Sequence, residues 1–284
     1  MAAKRTISII GPGRLGKALA LSLFRGGYKI DEIVSQSHPA SRRKASGVAA
    51  KVNATASDHT RARLGADVIW FCVPDRQIAN VARQFADTTN WRRKTAFHSS
   101  GALTHNELRV LQRRGAKVAS VHPFMTFVSA AVPSLEHVPF AIEGDRAAVR
   151  VAREVVRRLG GEPFTINPQK KVAYHTWGAF ASPLLVALLV TAEQVGRLAG
   201  IRPTEARKKM LPILRQTITN YGALGPAGAF SGPLVRGDAE IVRKHLAALR
   251  RSPDSRAVYL CLARSALHYL PVKQRQALKK SLGS

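Results

Sequence analysis

The sequence contains few acidic residues and few cysteines. Only 17 of its 284 residues are Asp or Glu, against 45 Lys or Arg, so the formal net charge is +28. Cys72 and Cys261 lie far apart and neither has partners at the spacing of a metal site. A disulfide framework is therefore excluded, and we expect no bound metal. We expect a cytoplasmic protein, because the first predicted strand starts within five residues of Met1 and leaves no room for a signal peptide.

Internal repeats, low-complexity tracts and a basic tail are also missing. The positive charge is evenly distributed, because residues 1–166 and residues 167–284 each carry a net +14. A strongly basic protein attracts phosphate groups, so nucleic acid is one conceivable partner. An even scatter of arginines is more typical of a solvated surface that suits anionic small molecules. We therefore expect a small anionic substrate and keep nucleic acid as the alternative.

The first 166 residues alternate between strand patterns and helix patterns. Short apolar runs such as TISII, VIWFCV and KVASV are separated by segments of helical periodicity. This alternation predicts an α/β fold with a Rossmann-type doubly wound parallel sheet, in which ligands bind at the carboxyl ends of the strands. The strand pattern stops at Gln169. We therefore predict a first domain over residues 1–166 and an all-α domain over residues 167–284.

A glycine-rich motif follows the first predicted strand. Gly11, Gly13 and Gly16 have the spacing G-x-G-x-x-G, directly between a strand and a helix. In such a motif the first glycine permits the tight turn, the second admits a pyrophosphate and the third lets the helix pack closely on the strand. Free N–H groups at the helix N-terminus favour the phosphates further. We therefore predict a dinucleotide site, with further contacts from the same turn and from two later strand ends: Arg14, Leu15, Val73, Pro74 and Ser99.

The end of the second predicted strand indicates the type of cofactor. Sites for NAD usually carry an acidic residue there, but the segment VSQSHPASRRK contains none. Ser35, Ser37, Arg42 and Arg43 instead offer hydroxyl and guanidinium groups that suit a 2′-phosphate. NADP(H) is therefore the expected cofactor.

An uncharged run covers residues 172–192. It is long enough to cross a membrane, but it contains several polar residues and other predicted helices follow it closely. We favour a buried helix at the centre of the C-terminal domain or of a dimer interface. Pro183 is expected to kink or split this helix, because proline removes a backbone donor.

Several segments together resemble the 6-phosphogluconate-dehydrogenase-like superfamily, which includes pyrroline-5-carboxylate reductase, ketopantoate reductase and prephenate dehydrogenase. The chain is most similar to bacterial Rossmann-like proteins whose all-α C-terminal domain has no known function. The segments that carry this resemblance are IIGPGRLGKALA, VIWFCVPDRQI, FHSSGAL, HPFMTF, KKVAYHTWGAFAS and FSGPLVRGD. The resemblance covers nearly the whole chain and implies an oxidoreductase, but it names no substrate.

The resemblance also implies candidate catalytic residues. HPFMTF is similar to a His-Pro-Met segment of prephenate dehydrogenases, in which the His hydrogen-bonds the substrate hydroxyl, so His122 is a candidate general acid or base. Lys171 and His175 are spaced i, i+4 and share one helix face. Related dehydrogenases place a Lys and an Asn at this spacing beside the nicotinamide, and the Lys assists the carbonyl oxygen. Each of these residues has a structural alternative, as a solvated lysine or a core histidine.

Four further residues are candidates for substrate binding. Ser100 follows a predicted strand, where it either binds substrate or simply closes the turn. Tyr174 adds a hydroxyl beside Lys171. Ser231 and Arg236 lie in the SGPLVRGD loop, where the arginine either clamps a carboxylate or bridges to a nearby aspartate.

These observations favour an NADP(H)-dependent oxidoreductase that transfers a hydride to or from a small anionic carbonyl, imine or hydroxy compound. We expect a homodimer formed through the helical domain and no membrane association. The alternative is a non-catalytic NADP(H)-binding sensor that regulates a partner or contacts nucleic acid, because fold alone does not decide function.

Overall fold

The computed structural model describes residues 5–128 and 131–283. The chain divides into two compact units, Met1–Ala179 and Phe180–Ser284. The expected boundary between residues 166 and 167 falls within the first of these units. Lys171, Tyr174 and His175 consequently belong to the same unit as the sheet.

An eight-stranded sheet forms the centre of the first unit. Its strands are β1 (Thr6–Ile10), β2 (Lys29–Ser35), β3 (Thr55–Asp58), β4 (Val68–Phe71), β5 (Thr95–His98), β6 (Lys117–Pro123), β7 (Pro139–Gly144) and β8 (Glu162–Thr165). They lie in the order β3-β2-β1-β4-β5-β6-β7-β8. The predicted α/β class and Rossmann-type sheet are therefore confirmed.

Two details of the sheet differ from the sequence prediction. β7 runs antiparallel to β6, whereas the other neighbouring pairs are parallel. A parallel pair needs a long crossover, usually a helix, and the described residues between β6 and β7 contain none. The short β3 was not predicted, because its TASD sequence has no apolar run and it pairs only as an edge strand with β2.

Helices cover both faces of this sheet. They are α1 (Arg14–Arg25), α2 (Pro39–Ala49), α3 (Ile78–Gln84), α4 (Arg109–Arg113), α5 (Arg146–Arg158) and α6 (Lys171–Ala181), the last ending just beyond the unit. Ile7 and Ile9 of β1 lie in one core cluster, whereas Ile10 and Phe71 lie in a second cluster. Alternate residues of the central strands therefore face opposite layers, and their uninterrupted apolar sequence follows from burial on both faces.

The second unit is helical, as predicted. It contains α7 (Pro183–Leu198), α8 (Pro203–Ala229), α9 (Pro233–Arg236), α10 (Ala239–Ala248), α11 (Pro253–Tyr269) and α12 (Arg275–Leu282). Pro183 starts α7 immediately after the end of α6, so the predicted interruption of the apolar run is confirmed. Asp238 caps α10 by accepting a hydrogen bond from Ile241 N at 3.1 Å, also as expected. A small core joins α10, α11 and α12.

The apolar run is not buried within the chain, so the expected position at the centre of the C-terminal domain is wrong, whereas the alternative of a dimer interface stays a prediction. Residues Pro168–Leu198 are long and apolar enough to cross a membrane, but only 6% of their most apolar window is buried. Large apolar side chains such as Val186 (57% exposed) and Ile218 (63% exposed) lie open on α7 and α8. Within α8, only Ala206 is buried. The sequence pattern thus identified an apolar helix, but it could not identify what covers that helix.

We predict that Gly16→Ala destabilises the protein by about 1–3 kcal/mol, the usual cost of overpacking a tight contact. A β-carbon at Gly16 would lie 2.0 Å from the carbonyl oxygen of Gly11, and neither backbone segment can yield easily. Gly13→Ala is the matched control, because no other atom lies within 4 Å of its added carbon. Urea unfolding should therefore show a lower midpoint for the first variant only, and equal midpoints would contradict the assigned role of Gly16.

Candidate functional site

The turn between β1 and α1 brings backbone groups close together and leaves one side open. Gly11 has a φ of +102°, and an added β-carbon there would lie 2.5 Å from the carbonyl oxygen of Cys72. Gly13 faces open space. The N-terminus of α1 has no side-chain cap, so its first N–H groups and its positive dipole end are available to an anion. This arrangement fits the pyrophosphate of a dinucleotide.

A groove of about 500 Å³ extends from this turn across the carboxyl ends of β1, β2 and β4. Five of the residues predicted to bind the cofactor line it, namely Gly11, Gly13, Ser35, Val73 and Pro74. Its other polar lining residues are Gln36, Ser41, Lys44, His59, Gln77 and Gln84. Arg14, Leu15 and Gly16 belong to the same turn but are not part of the lining. The groove therefore has an apolar centre at the strand ends and a polar, basic end at α2.

The basic end of the groove contains Lys44 rather than the predicted arginines. Ser41 and Lys44 are one turn apart on α2 and face the groove. Arg42 points elsewhere, and its Nη2 atom lies 2.7 Å from Asp58 Oδ2. Arg43 is exposed and does not line the groove. The helical period explains this difference, because each step along a helix turns the side chain by about 100°.

His59 completes the basic end of the groove. Its Nδ1 lies 3.1 Å from the hydroxyl of Ser37, so the predicted Ser37 contacts a lining residue without lining the groove itself. Lys44, His59 and Ser41 together offer an ammonium, an imidazole and a hydroxyl to an anion. This set of donors suits a phosphate monoester.

The loop after β5 is held by its own polar groups. Trp70 Nε1 donates to Ser99 Oγ at 2.8 Å. Ser100 is buried, and its hydroxyl donates to Asp75 Oδ2 at 2.7 Å while accepting from the backbone N–H groups of Ala102 and Leu103. The hydroxyls of Ser99 and Ser100 thus have partners within the protein, and the loop forms a fixed edge beside the groove.

The ammonium group of Lys171 is enclosed beneath this loop. The residue is 1% exposed, and its Nζ donates to Ser120 Oγ at 2.6 Å and to Ser100 O at 3.0 Å. Glu143 Oε1 lies 3.9 Å away. Burial lowers the pKa of Lys171 to about 8, against the opposing effect of Glu143 and Asp75. Lys171 was predicted to be a catalytic donor, and the structure places its ammonium below the surface of the site.

Glu143 joins this cluster to the far end of the loop. Its carboxylate accepts from the backbone N–H of His105 at 2.8 Å, and its second oxygen lies 2.5 Å from His105 Nδ1. The hydrogen bond to Glu143 raises the pKa of His105, although partial burial opposes it. His98 is also buried, donates from Nε2 to Thr104 O, and has a pKa lowered to about 4 by burial. A neutral His98 and an ion-paired Glu143 therefore support the same loop.

Two candidate residues, His122 and His175, lie against the buried Gly101, and a third, Tyr174, contacts His122. His122 Nδ1 lies 2.8 Å from the hydroxyl of Tyr174. The rings of His122 and His175 are 6.1 Å apart and nearly perpendicular. A β-carbon at Gly101 would lie 2.6 Å from His175 Cδ2 and 2.9 Å from His122 Nε2. Only glycine therefore lets both imidazoles approach the loop.

The protonation of the His122–Tyr174 pair follows from burial. Burial, assisted by the nearby charge of Lys171, lowers the pKa of His122 to about 3. Burial also raises the pKa of Tyr174 well above its usual value. Both side chains are consequently neutral near pH 7. Either one can donate the hydrogen bond that joins Nδ1 to the hydroxyl.

The remaining predicted residues lie in the second unit. Ser231 and Arg236 are both exposed, and Arg236 ends the short helix α9. Across the described ranges 5–128 and 131–283, no three His, Cys, Asp or Glu side chains are grouped as a metal site would need.

Sequence reasoning missed three parts of this site. Lys44 and His59 were overlooked, although the spacing of Ser41 and Lys44 on a predicted helix would have indicated a shared face. Glu143 could not have been found, because it meets Ser120 through the antiparallel register of β6 and β7. The aromatic side chains of Phe124 and Trp177 were also overlooked, although both lie next to residues that were selected.

Comparisons with known proteins agree with this architecture. A family model described as a Rossmann-like domain matches residues 1–123, and the Domain of unknown function (DUF2520) matches residues 138–266. No curated protein sequence gives a significant match.

Solved structures share the fold at low sequence identity. A Bacteroides fragilis protein provisionally described as an NADP oxidoreductase has a TM-score of 0.76 at 21% identity, over 92% of this chain and 97% of its own. A Thermotoga maritima protein has a TM-score of 0.73 at 22% identity, over 96% and 98% of the two chains. A reductive aminase from Aspergillus terreus, solved with NADPH and ethyl-5-oxohexanoate, has a TM-score of 0.65 at 17% identity, over 98% and 99%.

The two family matches are separated by residues 124–137 and together cover most of the sequence, and the fold agrees over nearly the whole chain. The chain therefore combines a segment that matches the Rossmann-like domain with one that matches DUF2520, and it shares its fold with these solved structures.

Proposed function

We propose that this protein is an NADP(H)-dependent oxidoreductase that transfers a hydride to or from a small anionic carbonyl, imine or hydroxy compound. The observation that carries the proposal is that the glycine turn, the groove and the His122–Tyr174 pair lie side by side along one edge of the sheet. The open glycine turn and the groove lie at the ends of β1, β2 and β4, and the neutral His122–Tyr174 pair lies at the end of β6. Ligands of doubly wound sheets bind along this edge.

The residues present fit NADP(H). The turn at Gly11 and Gly13 would hold the pyrophosphate, and Lys44, Ser41 and His59 would hold the 2′-phosphate. The cofactor would supply or accept the hydride. A similarly folded reductive aminase was solved with NADPH, which supports this choice of nucleotide.

The protein's own chemical task is then to supply a proton to the substrate heteroatom. A neutral histidine cannot donate from Nε2 unless Nδ1 gains a proton at the same time, because imidazolate is too basic. Tyr174 can provide that proton, since its hydroxyl lies 2.8 Å from Nδ1. The proton on Nε2 of His122 passes to the heteroatom as the hydroxyl proton of Tyr174 passes to Nδ1. Solvent then returns a proton to Nε2, and Nδ1 returns its proton to the tyrosinate. Lys171 positions the loop beneath this pair.

We predict that calorimetric titration gives tighter binding of NADPH than of NADH, and that Lys44→Ala removes most of the difference. Loss of one charge-assisted contact to a phosphate corresponds to roughly a tenfold to hundredfold weaker affinity for NADPH alone. Lys51→Ala is the control, because Lys51 is exposed just beyond the end of α2 and does not line the groove.

The double variant Arg42→Ala/Arg43→Ala distinguishes the two faces of α2. Its preference for NADPH should persist, because neither arginine lines the groove. If this variant loses the preference and Lys44→Ala keeps it, the phosphate site has been assigned to the wrong face. If neither nucleotide binds the wild type, the oxidoreductase proposal fails.

We predict that Tyr174→Phe lowers kcat for NADPH oxidation by about 10²–10⁴-fold, the usual contribution of a positioned acid. The affinity for NADPH should be unchanged, because Tyr174 does not line the groove. Pyruvate and pyrroline carboxylate are suitable first substrates, as a small keto acid and a small cyclic imine. Phe164→Leu is the control, because Phe164 contacts the ring of Tyr174 but offers no hydroxyl. Nucleotide binding without turnover of any carbonyl or imine would favour the sensor alternative.

We also propose a homodimer formed through the second unit. The exposed apolar side chains of α7 and α8 support it, because a soluble surface rarely leaves such a continuous set open. We expect light scattering to give twice the chain mass, and Ile213→Glu/Ile218→Glu to give a monomer, since both side chains are more than 60% exposed on α8. Gln274→Glu/Gln276→Glu, which adds the same two charges at exposed positions at the start of α12, should leave the dimer intact. A wild-type monomer at every concentration would contradict the proposal.

A further inference from the structure

Three aromatic rings form a continuous surface next to the proposed proton donor. We call Phe124, Tyr174 and Trp177 the aromatic shelf. Phe124 and Trp177 are stacked, with ring centroids 4.4 Å apart and planes inclined by 27°. Tyr174 lies 5.5 Å from Phe124 and 6.3 Å from Trp177, between centroids. These separations lie in the range in which aromatic pairs attract one another.

The shelf is held by backbone contacts on both sides. Phe124 directly follows β6, and its N–H donates to Pro139 O of β7 at 2.8 Å. Gly178 lies opposite the ring, and a β-carbon there would lie 3.1 Å from Phe124 Cε2. The absence of a side chain at Gly178 therefore lets the Phe124 ring lie against α6. The position of the stack is consequently fixed by the sheet and by the helix together.

Trp177 is unusual among the tryptophans of this protein. Trp70 and Trp91 are fully buried, whereas Trp177 is 59% exposed. One face of its indole is covered by Phe124, and much of the ring remains open. Exposed indole carries a large hydrophobic cost, and a rigid stack limits its conformational freedom. An indole held in this way is suited to bind a flat apolar group.

The shelf is continuous with the donor pair. Tyr174 belongs to the shelf and also contacts His122, whose ring centroid lies 5.5 Å from its own. A molecule whose heteroatom accepts a proton from His122 would therefore extend its neighbouring atoms towards Phe124 and Trp177. The nearby charge of Lys171 is already bonded to Ser120 and Ser100. The part of the molecule over the shelf thus contacts aromatic rings, and Lys171 offers it no free positive charge.

We propose that the aromatic shelf binds the flat, apolar body of the substrate. The substrates are then carbonyl or imine compounds whose reacting group is attached to an aromatic or similarly planar ring. The statement about the reacting group rests on the proposed function, whereas the binding of a planar ring to the shelf does not.

Fluorine NMR on protein labelled with 5-fluorotryptophan tests this proposal on the full chain with NADP⁺ present. The three tryptophans give three resonances, and Trp177→Phe identifies the one from the shelf. The probes are benzoylformate and pyruvate, which are keto acids that differ in a phenyl or a methyl group. Benzoylformate should shift the Trp177 resonance saturably, with an affinity about tenfold or more above that of pyruvate.

Two variants separate shelf binding from general effects. Phe124→Ala should weaken benzoylformate binding by about tenfold, because it removes one ring of the stack. Phe24→Ala should leave it unchanged, since Phe24 is an exposed aromatic residue on α1 (37% exposed). Loss of binding in both variants, or equal affinity for the two probes, would overturn the proposal.

Two further outcomes identify what else has failed. If the Trp177 resonance moves with protein concentration and benzoylformate has no effect on it, a second copy covers the shelf and the proposal is wrong. Calorimetry with NADPH on the same sample reports the nucleotide site independently. A shelf that binds benzoylformate in a protein that binds no nucleotide would retain this proposal and reject the proposed oxidoreductase.

Discussion

The candidate site depends on the hydrogen bonds that the buried ammonium of Lys171 donates to Ser100 and Ser120. A charge that is 1% exposed must be satisfied by fixed partners, and here the partners are Ser120 within β6 and Ser100 in the loop after β5. This requirement sets the rotation of α6 against the sheet. Tyr174, three residues later, and His175, four residues later, then face the same side as Lys171. One buried contact thereby places the donor pair and the first ring of the shelf.

The electrostatic character of the site follows from the same contact. Burial disfavours the protonated forms of the two imidazoles, and the nearby cation acts in the same direction. His98 and His122 therefore remain neutral, and the candidate site contains a hydroxyl–imidazole pair rather than an imidazolium. Glu143 partly offsets the cation, but it is itself held by His105. The charged side chains of Lys171 and Glu143 thus lie below the site, whereas the neutral His122 and Tyr174 form its surface.

The sequence sufficed for features that depend on local pattern. The glycine turn, the alternation of strands and helices, the break at Pro183 and the cap at Asp238 each depend on neighbouring residues alone. It did not suffice where two distant segments meet. The contact of Glu143 with His105 depends on an antiparallel register, and the choice of Lys44 over Arg42 depends on the orientation of α2 towards the groove. The exposed α8 shows the same limit, because amphipathic patterns do not reveal what covers them.

The antiparallel strand β7 has a consequence for how this protein can be divided. The DUF2520 match starts at residue 138 and so includes β7, α5 and β8, which complete the sheet begun by the Rossmann-like segment. A chain ending before residue 138 would leave β6 as an open edge, with unpaired backbone groups and a risk of aggregation. The Rossmann-like segment alone would therefore lack the strand that pairs with β6. Recombination between such proteins would have to preserve the β6–β7 register. The two segments are thus joined by a strand pairing rather than by a linker.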